Sequence, residues 1–205
     1  MDREAINQQL SPHALVALGD CTTDDGCIVL LGPDEPRFWT HFSASPEMQD
    51  GTDNPLDRWS QRVVCTVAGQ LGAIALYPFA GPPYQPFYTW AVQSGRFWPS
   101  PLGFLVHETR GLFASFRGAL LFEGDTASPP PDKDPPCATC PRPCATACPV
   151  GAFDNGYDVA KCKAHVRSPQ GKDCRLGGCL ARRACPVGQS LRLPAQSAFH
   201  MEAFL

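Results

Sequence analysis

Eight of the eleven cysteines fall between Cys137 and Cys185, in the order Cys137-x2-Cys140-x3-Cys144-x3-Cys148-Pro149, then Cys162, then Cys174-x4-Cys179-x5-Cys185-Pro186. Thiolates are soft ligands, and gaps of two or three residues let several of them converge on one metal centre. Two inorganic centres fit eight thiols: a pair of [4Fe–4S] cubanes, or a pair of zinc ions with four thiolates each. Zinc sites are built on paired knuckles of closely spaced cysteines, and only Cys137–Cys140 has that form here. Both Cys-Pro steps also go unexplained by zinc. Iron–sulfur is the favoured chemistry, a zinc-stabilised module its rival, and a disulfide framework ranks below both.

In two-cluster ferredoxins the fourth cysteine of each run, the one followed by proline, ligates the other cluster. Applied here, one cluster takes Cys137, Cys140, Cys144 and Cys185, and the other takes Cys148, Cys162, Cys174 and Cys179. Every thiol of the constellation is used. The common run has two residues between its second and third cysteines, whereas Cys140 and Cys144 are separated by three, two of them prolines. The second half is looser still, and Gly177-Gly178 offers the flexibility its longer loop needs. Each Cys-Pro step is expected to open a helix.

Charge follows the same division. Residues 1–130 carry 7 basic and 14 acidic side chains, and residues 131–205 carry 10 basic and 6 acidic. An oxidised cubane with four thiolates carries about −2, so two of them nearly cancel the basic excess around the cysteines. Arg182-Arg183, between Cys179 and Cys185, is placed to face cluster sulfurs or a partner protein. His165 and His200 are not needed as ligands, because the cysteine set is already complete.

The elements that position these groups divide into three stretches: an α+β lobe over 1–125, a stiff Pro-rich linker over 126–136, and a small ferredoxin-like module over 137–205. In the lobe, apolar runs over 14–21 and 26–31 flank Asp25-Gly26, a hairpin signal with a connection longer than two residues. Phe38, Trp39 and Phe42 share one helical face. Asn54-Pro55 starts an amphipathic helix carrying Leu56, Trp59, Val63, Val67 and Leu71 and ending near Gly72, with Asn54 or Asp53 as its cap. A strand is expected over 73–79, a turn at Gly81-Pro82-Pro83, a short helix over 85–93, and strands over 104–106, 112–116 and 119–122. This order predicts a mostly antiparallel sheet.

On these residues the C-terminal third resembles the ferredoxin-like module of epoxyqueuosine reductase and of corrinoid-dependent reductive dehalogenases. The resemblance lies in Cys148-Pro149-Val150-Gly151-Ala152, the lone Cys162 and the closing Cys185-Pro186, and covers about residues 137–190. It implies two [4Fe–4S] clusters, with Cys162 on the second. Residues 10–125 are similar in size and element order to the nitroreductase-like corrinoid-binding lobe of epoxyqueuosine reductase and of the cobalamin-processing protein. That analogy implies a corrinoid ligand, with FMN as the alternative, and an oxidoreductase fed by a redox partner protein. The reductase's catalytic acid has no counterpart to which it can be assigned.

Tyr84, Trp90 and His107 are the candidate cofactor contacts in the lobe, among aromatics (Phe87, Tyr88, Phe97, Trp98) that serve equally well as core. Arg96 and Arg117 are candidates for a carboxylate or phosphate partner. Cys21, Cys27 and Cys65 read as buried inert thiols. No phosphate-binding glycine loop is present, which weighs against an intrinsic nicotinamide site. Nothing in the sequence marks nucleic acid or membrane as a partner, and the acidic start without an apolar run predicts a cytoplasmic setting. Three readings stay open: a corrinoid-linked iron–sulfur reductase, a ferredoxin-type electron carrier with a docking lobe, and a zinc-stabilised binding module.

Overall fold

The computed structural model describes residues 3–191 and 193–205. In chain order its elements begin with α1 (Arg3–Leu10), β1 (Leu15–Thr23), β2 (Gly26–Pro33), α2 (Arg37–Ser43), α3 (Pro46–Gln49), α4 (Pro55–Leu71), β3 (Ile74–Leu76) and α5 (Phe87–Gln93). They continue with β4 (Phe97–Pro99), β5 (Leu105–His107), β6 (Gly118–Glu123), α6 (Val159–Arg167), α7 (Lys172–Gly177), α8 (Leu180–Arg183) and α9 (Pro194–Phe204). The protein is mixed α+β with an antiparallel sheet. Contacts divide it into two units. The first comprises the chain through Phe97 together with Ser115–Lys133, and the second comprises Trp98–Ala114 and Asp134–Leu205.

The first unit is built on a four-stranded sheet in the order β1-β2-β6-β3, antiparallel at every pairing. All eight residues of β2 are buried, so both of its faces are covered, as an unbroken apolar run such as Cys27–Leu31 requires. The β1–β2 hairpin closes through Asp24-Asp25 alone, with Thr23 opposite Gly26. This is tighter than the sequence suggested. Gly26 permits it: its φ is 143°, and a Cβ there would lie 2.2 Å from the carbonyl oxygen of Phe122 on β6. A bulge between Ala17 and Gly19 shifts the register of β1.

Helix α4 buries Leu56, Trp59, Ser60, Val63, Val64, Val67 and Ala68, a stripe at three- and four-residue intervals, and packs on β3 and β6. It ends at Gly72, whose φ of 67° lets its N–H reach the carbonyl of Ala68. Asn54 stands at the N-cap with φ 53°, but its side chain makes no capping bond. Trp59 meets the rings of Phe38 and Phe42 edge-on at centroid distances of 5.3 and 5.9 Å.

Two expected strands are shorter or missing. The one over 73–79 reduces to β3, because the chain turns at Pro78. Residues 112–116 form no strand: Gly111 pairs with His107 only as an isolated bridge, and Phe113 N–H closes a turn onto the Arg110 carbonyl at 3.3 Å. The stretch 126–136 is irregular, as expected. Its first half is held to the first unit, with Ala127 N–H donating to Thr22 Oγ1 at 2.9 Å and Pro130 packed where a Cβ on Gly95 would sit.

β4 and β5 form a two-stranded ribbon, which belongs to the second unit from Trp98 onward. It contributes Val106 to a core with Leu102, Leu112, Cys144, Ala181 and Cys185. Trp98–Ala114 thus belongs by contact with the cysteine-rich chain, although in sequence it lies inside the 1–125 stretch. The first Cys-Pro step opens a turn rather than a helix. Gly151, at φ 60°, breaks the chain direction, and the helix α6 starts only at Val159, where Asp158 caps it by accepting from Lys161 N–H at 2.9 Å. Among the described residues no helix is long and apolar enough to cross a membrane.

Candidate metal centre

Two hollows in the second unit are each lined by four cysteines. Cys137, Cys140, Cys144 and Cys185 face one, with Val106, Leu112, Pro136, Pro186 and Val187 among its walls. Cys148, Cys162, Cys174 and Cys179 face the other, with Pro149, Val150, Phe153, His165 and Met201. The chain therefore crosses twice. It leaves the first group at Cys148 and returns to it at Cys185, as the two Cys-Pro steps suggested.

Short elements set these positions. Cys144 lies on a 3₁₀ turn, Pro143–Ala145, and its thiol is buried. Cys162 rides on α6, Cys174 on α7, Cys179 stands at the N-cap of α8, and Cys185 follows that helix. Gly111, from a distant part of the sequence, comes close to the segment that carries the fourth thiol: a Cβ on it would lie 3.2 Å from Cys185 Sγ and 2.3 Å from the carbonyl oxygen of Val187.

The electrostatics respect the same grouping. Burial pushes the Cys137 thiol up, and the neighbours that push it further are Cys140 and Cys185. Cys144 is raised by burial and then by Cys185, Cys137 and Cys140. In the other group Cys174 is raised by burial first, with Cys179 and Cys162 adding to it, and Cys179 by burial and then Cys162. Thiols crowded in this way resist ionisation until a metal supplies positive charge.

Several donors already point at sulfur. Arg142 N–H reaches Cys140 Sγ at 3.4 Å, and Ala152 N–H reaches Cys148 Sγ at 3.3 Å. Backbone N–H groups of Leu180, and of Ala181 and Arg182, bond to the sulfurs of Cys174 and Cys179 respectively. Burial raises the pKa of the Tyr157 phenol, and the neighbouring Cys162 raises it further.

Among the described residues no group of three or more His, Cys, Asp or Glu side chains is arranged to hold a single metal ion. The two observations are compatible. Four sulfurs at 2.3 Å from one zinc would stand only ~3.8 Å apart, by tetrahedral geometry. A cubane interposes its own iron and sulfide atoms, so its thiolates ring a wider space. The two hollows gather four cysteines each without closing them into a single-ion site.

The candidates outside the constellation are placed differently. Trp90 is buried in the first unit, its ring 5.2 Å from that of Phe87, which makes it core. Tyr84 is 65% exposed and Tyr88 50% exposed. His107 lies in the second unit, where its Nδ1 accepts from the backbone N–H groups of Thr109 and Arg110, both at 3.2 Å, and so fixes the turn before Gly111. Arg117 is a desolvated guanidinium whose pKa falls to about 10, and its Nε has no hydrogen-bond partner. Cys21 and Cys27 are buried, but Cys65 is exposed: it lies on the outer edge of α4, one residue past the buried pair Val63–Val64. What the sequence did not reveal is the wall made by Val106 and Leu112, the close approach of Gly111 to Cys185, or Tyr157 beside Cys162. Gly111, between two apolar segments, was the only signal there.

No protein-family model and no curated protein sequence matches the chain.

Proposed function

We propose that the second unit holds two [4Fe–4S] clusters and passes single electrons through them. The observation that carries this reading is the division of eight thiols into two apolar hollows of four, linked by a chain that crosses between them after each group. When bound, the clusters supply one-electron redox chemistry. The protein supplies the thiolates, the N–H donors aimed at sulfur, and walls of Val, Leu and Pro that keep water from the iron. The unit has a ferredoxin-like character in this sense, with Cys137, Cys140, Cys144 and Cys185 on one cluster and Cys148, Cys162, Cys174 and Cys179 on the other.

The first unit is the acceptor side of the same proposal: a nitroreductase-like lobe that binds a corrinoid, or FMN in its place, and makes the protein an oxidoreductase served by a donor protein in the cytoplasm. Tyr84 and Tyr88, exposed beside the Pro82-Pro83 turn, are the aromatics available to stack on a planar ligand. Trp90, buried in the core, is not.

Anaerobic purification tests both halves. Iron and sulfide at about eight each per chain, with a brown colour bleached by dithionite, are expected. Zinc at two per chain and no colour would overturn the cluster reading. Cys185→Ser and Cys148→Ser should each remove a different cluster. Titration with cobalamin and with FMN, followed in the cofactor spectrum, tests the lobe. Binding of neither leaves an electron carrier and removes the corrinoid.

A further inference from the structure

The first unit holds a cavity of about 210 Å³, lined by Arg3 on α1, Asp20 on β1, Ser94 and Arg96 at the end of α5, and Ser128-Pro129-Pro130-Pro131. Four separate segments of chain converge on it, and two glycines let them. A Cβ on Gly19 of β1 would lie 2.7 Å from Ser94 Oγ and 3.7 Å from Arg96 Cδ, so the end of α5 can sit against the strand only where the side chain is missing. Gly95, at φ 65°, turns the chain between Ser94 and Arg96, and a Cβ on it would stand 2.7 Å from Pro130 Cβ.

The polar groups of the cavity are held in place. Ser94 is buried, and its Oγ donates to the Ala91 carbonyl at 2.6 Å, which satisfies one of the open carbonyls at the end of α5. The same oxygen accepts from Arg96 N–H at 3.3 Å. Arg3 donates through Nη2 to the Ala17 carbonyl at 2.9 Å and pairs through Nη1 with Asp20 Oδ1 at 3.2 Å. Its fork is therefore oriented before any ligand arrives, which spares the ordering cost of a loose side chain. The three prolines add a stiff wall with no N–H to donate.

Charge and size narrow what fits. Two guanidiniums and one carboxylate line the cavity, an excess of one positive charge, although residues 1–130 carry only 7 basic side chains against 14 acidic ones. A singly charged anion balances that excess, whereas a phosphate dianion would leave a negative charge beside Asp20. The guanidinium fork matches the two oxygens of a carboxylate. The volume, about 210 Å³, falls below the roughly 300–1,000 Å³ of pockets that hold drug-sized ligands. It is too small for a corrinoid or FMN and large enough for a carboxylate of a few carbons.

We propose that this cavity is a binding site for a small monocarboxylate, whose oxygens are held by Arg3 and Arg96. The site is built from the first unit alone and makes no use of the clusters. Because its walls come from segments far apart in sequence, a bound ligand ties them together and raises the stability of the folded unit.

The test uses the full chain, exchanged into carboxylate-free buffer, with pyruvate, acetate and inorganic phosphate as probes in calorimetric titration and thermal unfolding. One equivalent of pyruvate or acetate is expected to bind and to raise Tm, with an affinity that falls as salt screens the guanidiniums. Arg96→Gln should weaken binding about tenfold or more. Arg96→Lys, which keeps the charge and loses the fork, should recover only part of it. Ser128→Phe fills the cavity from an exposed position, so it should abolish binding and keep the parent's Tm without ligand. It tests the site independently of how well Arg96→Gln folds. Carboxylate binding that Ser128→Phe and the Arg96 variants leave unchanged, or no binding of either carboxylate in the millimolar range, would overturn the proposal. Phosphate bound more tightly than both carboxylates would overturn the assignment to a singly charged ligand.

Discussion

Replacing Gly111 with alanine should strip the first hollow of its cluster and spare the second. Gly111 has φ of 58°, in the left-handed region, where a Cβ costs ~1–2 kcal/mol. That Cβ would also stand 2.3 Å from the Val187 carbonyl oxygen and 3.2 Å from Cys185 Sγ. The first of these is backbone, so the segment carrying Cys185, Pro186 and Val187 must move or the turn must open. Overpacking of this kind costs ~1–3 kcal/mol, which brings the total to about 2–5 kcal/mol. The whole of it falls on the paired N–H and C=O groups of His107 and Gly111, which bond at 3.0 and 3.1 Å, and on the chain that delivers the fourth thiol.

The assay is iron and sulfide per chain in anaerobically purified protein. Gly111→Ala should retain about four of each where the parent holds about eight, with half of the visible absorbance. Gly103→Ala is the control. It carries the same backbone penalty, with φ 77°, but its Cβ would meet nothing within 4 Å, so both clusters should survive. A Gly111→Ala protein with the full iron content and the parent spectrum would refute the close approach of this turn to Cys185.

In the native protein iodoacetamide at pH 8 should label Cys65 rapidly and leave Cys21 and Cys27 untouched until the chain is unfolded. Burial, followed by the nearby Asp20 carboxylate, pushes both of those thiols up to about 11, whereas Cys65 is exposed; labelling of Cys21 in folded protein, read by peptide mass, would contradict this. Glu47 accepts two hydrogen bonds from Arg62, which hold its carboxyl below the ordinary range despite its burial. With the folded pKa depressed, its stabilisation is complete above the unfolded value of about 4.3 and is lost as pH falls through the folded value. Glu47→Gln should therefore lower Tm at pH 7 and lose less than the parent on acidification to pH 3. Trp59→Ala, which empties the space against Phe38 and Phe42, should cost ~3–5 kcal/mol in urea unfolding of the first unit while leaving iron content unchanged.

Periodicity made some elements legible and hid others. The α4 stripe, the paired apolar runs of β1 and β2 and the aromatic face of α2 are strong local patterns, and local patterns survive because burial of one face rewards them. The 112–116 segment had the same apolar character but no partner strand: its carbonyl at Leu112 is taken by Arg182, seventy residues later. That pairing leaves no trace in the spacing of either segment. Cys65 illustrates a finer failure. It follows two buried valines, and a step of one residue along a helix turns the side chain by about 100°, enough to carry it from the apolar stripe to solvent. The grouping of the cysteines was legible because proline after cysteine fixes where the chain leaves one site for the next.

The walls of the first hollow explain why the cysteine-rich stretch is not self-contained. Four thiols can ring a cluster, but a cluster in water is a cluster exposed to solvent and oxidant, and its potential depends on the dryness around it. The chain between Cys137 and Cys185 is dense in cysteine, proline, glycine and charge and has few large side chains to spare. Leu102, Val106 and Leu112 supply the missing apolar surface, and they come from a segment that is separated from Cys137 by the whole of β6. The first hollow is thus closed by a loop excursion out of the first unit's chain. Cys140 and Cys144 are separated by one residue more than the common run allows, and Pro141 and Pro143 stiffen that extra length. The first hollow thus needs residues from 98–114 as well as its four thiols, whereas the walls of the second come from residues 148–201.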